Sequence, residues 1–181
     1  MKKQQILHII MLFAVLPVFF TSCKKDTEVK LDFDITVPAN WTYFIYANEG
    51  FIYAAGRDAI NAQDTILEAL YIYKESLPNY TLPLYYIALK PLIMDSPAYD
   101  SLLYESDTVI NTTNFKKMLS LETQKITNQY LDTFDLSVIT TRYFFFEKNN
   151  GYNMVFISMD TAFYRNQPLF NDIMSTFQYK Y

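Results

Sequence analysis

The chain has 181 residues, 51% of them hydrophobic and 18% aromatic, with 15 basic and 19 acidic side chains and a formal net charge of −4. It holds one histidine, one cysteine and three glycines. That inventory excludes the zinc sites that need several His or Cys ligands and the glycine-rich phosphate loop, and the acidic balance argues against a nucleic-acid partner, which requires basic patches.

Lys2 and Lys3 form a positive start, followed by an apolar run from Ile6 to Phe20 that His8 and Pro17 interrupt. A membrane span needs about 20 apolar residues, so this shorter run fits the apolar region of a secretory signal. The run ends in Phe20-Thr21-Ser22-Cys23, which resembles the bacterial lipoprotein box. In that pattern a small residue precedes a cysteine that is acylated and becomes the first residue after cleavage; Phe20 stands where the pattern prefers Leu. The alternatives are an ordinary signal with a chance cysteine and an uncleaved anchor. On the lipoprotein reading, residues 1–22 are a signal peptide and Cys23 carries the lipid. A single acyl chain binds marginally, whereas two or more hold stably at about 0.8 kcal/mol per buried methylene.

Loss of Lys2 and Lys3 leaves 13 basic against 19 acidic side chains, a net charge of −6. His8 is lost with the signal and Cys23 is taken by lipid. The mature chain then lacks Ser-His-Asp and Cys-His nucleophiles, the commonest general base near neutral pH, and any internal disulfide. No cofactor and no metal site is expected.

Residues 23–30 form the lipidated cysteine and a charged tether, in which the seven residues after Cys23 reach at most about 23 Å. Lys24-Lys25-Asp26-Thr27-Glu28 is similar to the export signals behind surface lipoproteins of Bacteroidota; a plain solvated linker is the equal alternative. Residues 31–181 are expected to form a single domain. Leu31 to Val37 alternates apolar and polar residues as a half-buried strand does, and Pro38 ends it. Trp41 to Ala47 and Phe51 to Ala55 flank Asn48-Glu49-Gly50, a hairpin loop. Thr65 to Ser76 is ambiguous: Leu67, Leu70, Tyr71 and Lys74 suit a helix, whereas Tyr71-Ile72-Tyr73 suits a strand. Leu82 to Met94 reads as a helix with Pro83 in its first turn and Pro91 kinking or ending it.

Asp100 to Asp107 and Asn114 to Ile126 read as strands, and Asn128 to Asp135 as part of a loop. Arg142 to Lys148 and Tyr152 to Met159 then form a hairpin through Asn149-Asn150-Gly151, because Asn-Gly readily takes the positive φ of a tight turn. Phe144 and Phe146 point to one face, Tyr143 and Phe145 to the other. A strand apolar on both faces belongs mid-sheet with cover on each side. One such cover is a helix starting at Asn166 or Gln167 before Pro168, with Leu169, Ile173, Met174 and Phe177 at helical spacing.

This order of features resembles the PsbP-like family, of the Mog, PsbP and DcrB type. The resemblance lies in Pro38-Ala39-Asn40-Trp41, in the strand and helix near Tyr71 to Met94, and in the aromatic close from Tyr152 through Phe170 to Ile173-Met174-Ser175-Thr176-Phe177. It implies an α+β domain whose antiparallel β-sheet is sandwiched between helices. It transfers no catalytic residue, and folds of this kind host unrelated functions.

Several residues are candidates for function. Asp32 and Asp34 share a strand face and could help bind calcium; a solvated edge-strand face explains them more simply. Asp132 and Asp135 could pair as acid and base, although two acids in a polar loop usually face solvent. Tyr43, Tyr46, Phe51 and Tyr53 could form a platform for a sugar or partner, yet their spacing suits a core, and Trp41 reads as a packing anchor. Asp64-Thr65-Ile66, Asp100-Ser101-Leu102, Asp107-Thr108-Val109 and Asp160-Thr161-Ala162 resemble the O-glycosylation sequon of Bacteroidota, at Thr65, Ser101, Thr108 and Thr161, although chance produces such triplets easily. The expected protein is a non-catalytic lipoprotein of the cell envelope. Its lipid holds it to a membrane, on the periplasmic or the cell surface side, where it serves as an accessory module for an envelope protein. The alternative is a module that binds a small molecule or glycan through exposed aromatics.

Overall fold

The computed structural model describes residues 31–46, 50–57, 68–127 and 133–180. The readings for the signal 1–22, Cys23, the tether 23–30, Thr65 and Asp132 lie outside the described residues. In chain order the elements are β1 (Phe33–Asp34), β2 (Trp41–Ile45), β3 (Gly50–Arg57), β4 (Glu68–Ser76), α1 (Leu82–Met94), β5 (Tyr99–Ile110), β6 (Thr113–Thr127), β7 (Thr133–Glu147), β8 (Asn150–Met159), a 3-10 turn (Asp160–Ala162), α2 (Phe163–Ser175) and β9 (Gln178–Tyr179). Seven strands form one antiparallel sheet in the order β2-β3-β4-β8-β7-β6-β5, and β1 pairs separately with β9.

The two-faced aromatic hairpin, β7 and β8, lies mid-sheet as its composition requires. On one face Phe145 stacks on Tyr152 with ring centroids 4.3 Å apart and planes 2° apart. Phe115 and Phe177 meet Phe145 edge-on, and Phe156 meets Phe170 of α2 at 4.9 Å. Asn166 fixes α2 from a buried position, donating to the Ser158 Oγ at 3.0 Å. On the opposite face Phe144 and Met118 pack with Tyr85 and other residues of α1. One helix thus lies on each face. Each is 13 residues long and covers only part of a seven-stranded sheet, so the expected sandwich is realised in part.

Three differences from the sequence reading have physical causes. The β7–β8 turn is Lys148-Asn149, with φ of 49° and 64°, and Glu147 pairs with Asn150. Gly151 therefore lies in the strand. Its lack of a side chain serves space instead of φ, because a Cβ there would lie 2.6 Å from the Tyr85 ring. The supposed loop before Asp135 is in part strand: β7 begins at Thr133, paired with Thr127. Finally, α2 begins three residues before Asn166, so Pro168 is interior. A proline there leaves the carbonyl four residues back without its helical donor; that residue is Tyr164, which is 82% exposed.

The Thr65 to Ser76 ambiguity resolves as strand from Glu68 onward, paired with β8 over nine residues. Pro91 neither ends α1 nor prevents its last turn, since the Asp95 N–H donates to the Pro91 carbonyl at 2.8 Å. Gly50 takes a φ of 98° at the start of β3, a conformation that L side chains rarely adopt. Among the described residues, no helix is long and apolar enough to cross a membrane.

Candidate interaction site

The two outer strands of the sheet differ in chemistry. A sheet edge exposes N–H and C=O groups that can pair with another chain, and natural proteins blunt it with charges, prolines and bulges. β5 is blunted in this way. It carries Asp100, Glu105 and Asp107, and its register with β6 shifts twice, between Tyr99 and Ser101 and between Leu102 and Tyr104. Its acids are also paired: Lys90 meets Glu105 at 2.7 Å and Lys116 meets Asp107 at 2.5 Å. β2 is Trp-Thr-Tyr-Phe-Ile, with no charge and no proline.

The backbone direction of β2 follows from one hydrogen bond. The Tyr46 N–H donates inward to the Ile52 carbonyl at 2.9 Å, and β2 pairs with β3 without a break from Trp41–Arg57 to Ile45–Tyr53. Hydrogen-bonded and non-bonded pairs alternate along an antiparallel ladder. The amides and carbonyls of Tyr43 and Ile45 therefore point away from β3. Among the described residues no strand pairs with them. The two residues are 57% and 41% exposed. Behind them the strand is firmly backed: Trp41 is buried, its N–H donating to Pro38 at 2.9 Å, and Tyr43 stacks on buried Tyr53 at 6.1 Å.

The aromatics expected as a platform divide accordingly. Trp41 and Tyr53 enter the core. Tyr46, Phe51, Tyr71 and Tyr73 are half-buried, with Phe51 between Tyr46 (4.7 Å) and Tyr73 (5.5 Å). Only Tyr43 of the four candidate platform rings is mainly exposed, so packing takes most of this set.

Polar groups elsewhere are largely neutralised by one another. Arg142 donates to Glu122 at 2.5 Å and to Ser120 at 2.9 Å, and Ser120 donates to Glu122 at 2.7 Å. Burial alone would raise the Glu122 carboxyl. The Arg142 charge and the hydrogen bonds from Arg142 and Ser120 outweigh it and hold the group below its usual range. Glu122 and Arg142 form a structural ion pair between β6 and β7. Glu75 has no such compensation, and burial pushes its carboxyl up. A shallow open cleft of about 260 Å³ lies beside Tyr86, Glu105, Asp107, Lys116 and Lys117. Glu105 and Asp107 are taken by Lys90 and Lys116, and Lys117 lies over the Tyr143 ring at 5.2 Å.

Asp32 accepts from Lys74 at 2.5 Å and from the Tyr152 hydroxyl at 2.9 Å. Partial burial raises its carboxyl, but these bonds and the Lys74 charge more than offset that and leave it lowered. Asp34 pairs with Lys180 at 2.6 Å. Each acid thus has its own lysine, and among the described residues no group of three or more His, Cys, Asp or Glu side chains could hold a metal. Asp135 is exposed. Of the sequon residues, Ser101 and Thr108 are partly buried on β5, and Thr161 is exposed in the 3-10 turn. The open edge of β2 could not be read from sequence, because an edge is a property of strand order; the absence of charge across residues 41–45 was its one available signal.

No family model matches the chain, and no curated protein matches it in sequence. Solved structures do match. Cyanobacterial PsbP (CyanoP) of Synechocystis sp. PCC 6803 aligns with a TM-score of 0.51 at 11% identity, covering 88% of this chain and 98% of its own. LpqN of Mycobacterium tuberculosis, described as involved in cell envelope biogenesis, aligns with a TM-score of 0.51 at 10% identity, covering 82% of this chain and 83% of its own. Identities of this size speak to the fold alone, and the fold is PsbP-like.

Proposed function

We propose that this PsbP-like domain is a non-catalytic accessory module of the bacterial cell envelope, lipid-anchored through Cys23, that binds an envelope protein by pairing its β2 edge with an extended segment of that partner. The observation that carries the reading is the contrast between the two sheet edges. β5 is charged and bulged, while β2 presents the Tyr43 and Ile45 backbone beside exposed apolar side chains and carries no charge. Strand addition draws affinity from main-chain hydrogen bonds and specificity from alternate side chains. The Cys23 box and the short tether support an envelope address, and LpqN, a protein of similar fold, is described as acting in cell envelope biogenesis. The lack of histidine and free cysteine after residue 23 supports a role without catalysis.

The test is a photo-crosslinking amino acid placed at Tyr43, and separately at Tyr104 on β5, which is similarly exposed at 53%. In native cells the Tyr43 probe should give a discrete adduct of higher mass, and the Tyr104 probe should not. Equal labelling from both edges, or no adduct from Tyr43, would contradict the proposal.

A further inference from the structure

Helix α1 is apolar on both sides. Its inner side, Tyr85, Tyr86, Leu89 and Ile93, packs on the sheet. Its outer side presents Leu84, Ile87, Ala88 and Pro91, at the i, i+3, i+4 and i+7 spacing of a single helical face, with Leu84 52% and Ile87 66% exposed. Leu92 and Met94 add further exposed apolar surface. The one charged residue in α1, Lys90, is committed to Glu105. A helix that is apolar all round belongs in a protein core or a membrane, so one packed on only one side calls for an occupant on the other.

The point where the chain enters the domain indicates which occupant. Asp32 sits at the end of the sheet that carries the β7–β8 turn: it meets Lys74 and Tyr152, and its carbonyl accepts from the Lys180 N–H at 2.8 Å. The connection into α1 leaves from the same end, where the Leu77 N–H donates to the Asn149 carbonyl at 2.8 Å. The first turns of α1, with Leu84 and Ile87, therefore lie at the same end of the sheet as the tether but on the other face, since Phe33 packs with Tyr152 and Phe177 while α1 packs on Phe144, so the tether must pass round that end. Cys23 precedes Leu31 by eight residues, a reach of at most about 26 Å, while α1 itself is about 20 Å long.

We infer that the outer face of α1 lies in the surface of the bilayer to which the chain is anchored, so that the domain is held at a fixed tilt by two contacts, the lipid on Cys23 and the apolar face of α1. The inference rests on the reading of Cys23 as acylated. Interfacial helices bury their apolar side about 5–10 Å into the boundary between headgroups and acyl chains, which side chains of the size of Leu84 and Ile87 can reach.

The chain has no other cysteine, so Ile87→Cys gives a single labelling site in the acylated protein, at an exposed position that tolerates change. A nitroxide there is measured on vesicles of phosphatidylethanolamine and phosphatidylglycerol at low protein density. A second protein carries the label at Tyr164→Cys, at the start of α2, and mass spectrometry of each sample reads the state of Cys23. The label at 87 should collide with oxygen and lose collisions with a water-soluble nickel chelate, at a depth of about 5–10 Å, while the label at 164 keeps both. A label at 87 that stays open to the nickel chelate in protein shown to be acylated overturns this inference and leaves the anchor standing. The same result with Cys23 unmodified overturns both. Dipolar broadening between labels at 87 would show that a second copy covers the face, and would also overturn it.

Discussion

Gly151→Ala tests whether α1 is seated as described. The added methyl would lie 2.6 Å from Cε2 and Cζ of Tyr85 and 2.8 Å from its Cδ2. Carbon atoms in contact prefer about 3.5–4.0 Å, so the ring must retreat by about 1 Å. It has little room, being wholly buried with its centroid 6.3 Å from both Phe144 and Phe146. Overpacking of this kind costs about 1–3 kcal/mol. With a urea dependence of about 2 kcal/mol per molar, the unfolding midpoint should fall by about 0.5–1.5 M. The sign is informative, because Gly151 is not at positive φ. Alanine at a compatible glycine position otherwise stabilises by about 0.4–1 kcal/mol, through the unfolded chain. In a Tyr85→Ala background the same substitution should therefore become neutral or stabilising, giving a coupling of about 1 kcal/mol or more in a double-mutant cycle. An equal cost in both backgrounds, or no cost in the parent, would refute the packing argument.

Two further outcomes follow from buried charge. Glu122→Gln should cost about 3–5 kcal/mol in urea unfolding, because it strands Arg142 without its counter-charge, and most of that loss should return in Glu122→Met with Arg142→Met. Glu75→Gln should stabilise the protein at pH 7: burial raises the folded-state affinity of Glu75 for its proton, so the native state binds more protons and loses stability as pH rises past the unfolded value of about 4.5. The advantage of the glutamine should vanish when unfolding is measured well below that pH, and an advantage that persists there would contradict the assignment.

The sequence revealed the interior of the sheet better than its borders. Phe144 and Phe146 against Tyr143 and Phe145 placed β7 mid-sheet, because side-chain alternation is a local property that the aromatic run displays outright. Leu82 to Met94 was legible for a similar reason. The role of Gly151 was hidden because its cause, the Tyr85 ring, lies 66 residues away in the chain and only tertiary packing brings them together; read locally, Asn-Gly is a turn. The start of β7 was missed because Thr133-Phe134-Asp135-Leu136 follows polar Asn128 and Gln129 and reads with them as one loop, although its alternation of polar and apolar residues is that of the strand that β6 pairs with. The strand expected over Leu31 to Val37 is only the two residues of β1, with Asp34 in it and Asp32 just before it. Their lysines are Lys74 on β4 and Lys180 after β9, which no local pattern indicates. The Glu122–Arg142 pair joins two strands at a separation of twenty residues, and the outward backbone of Tyr43 and Ile45 depends on strand order, which composition does not encode.

Hydrogen exchange resolved at single amides of β2 bears most directly on the open edge. In the isolated protein the Tyr43 and Ile45 amides should exchange at the rate of unstructured backbone, while Phe44 and Tyr46, bonded inward to β3, are slowed. On addition of the crosslinked partner, Tyr43 and Ile45 should become as slow as their neighbours. Protection of those two amides before any partner is present, or continued fast exchange once it is bound, would contradict strand addition at β2.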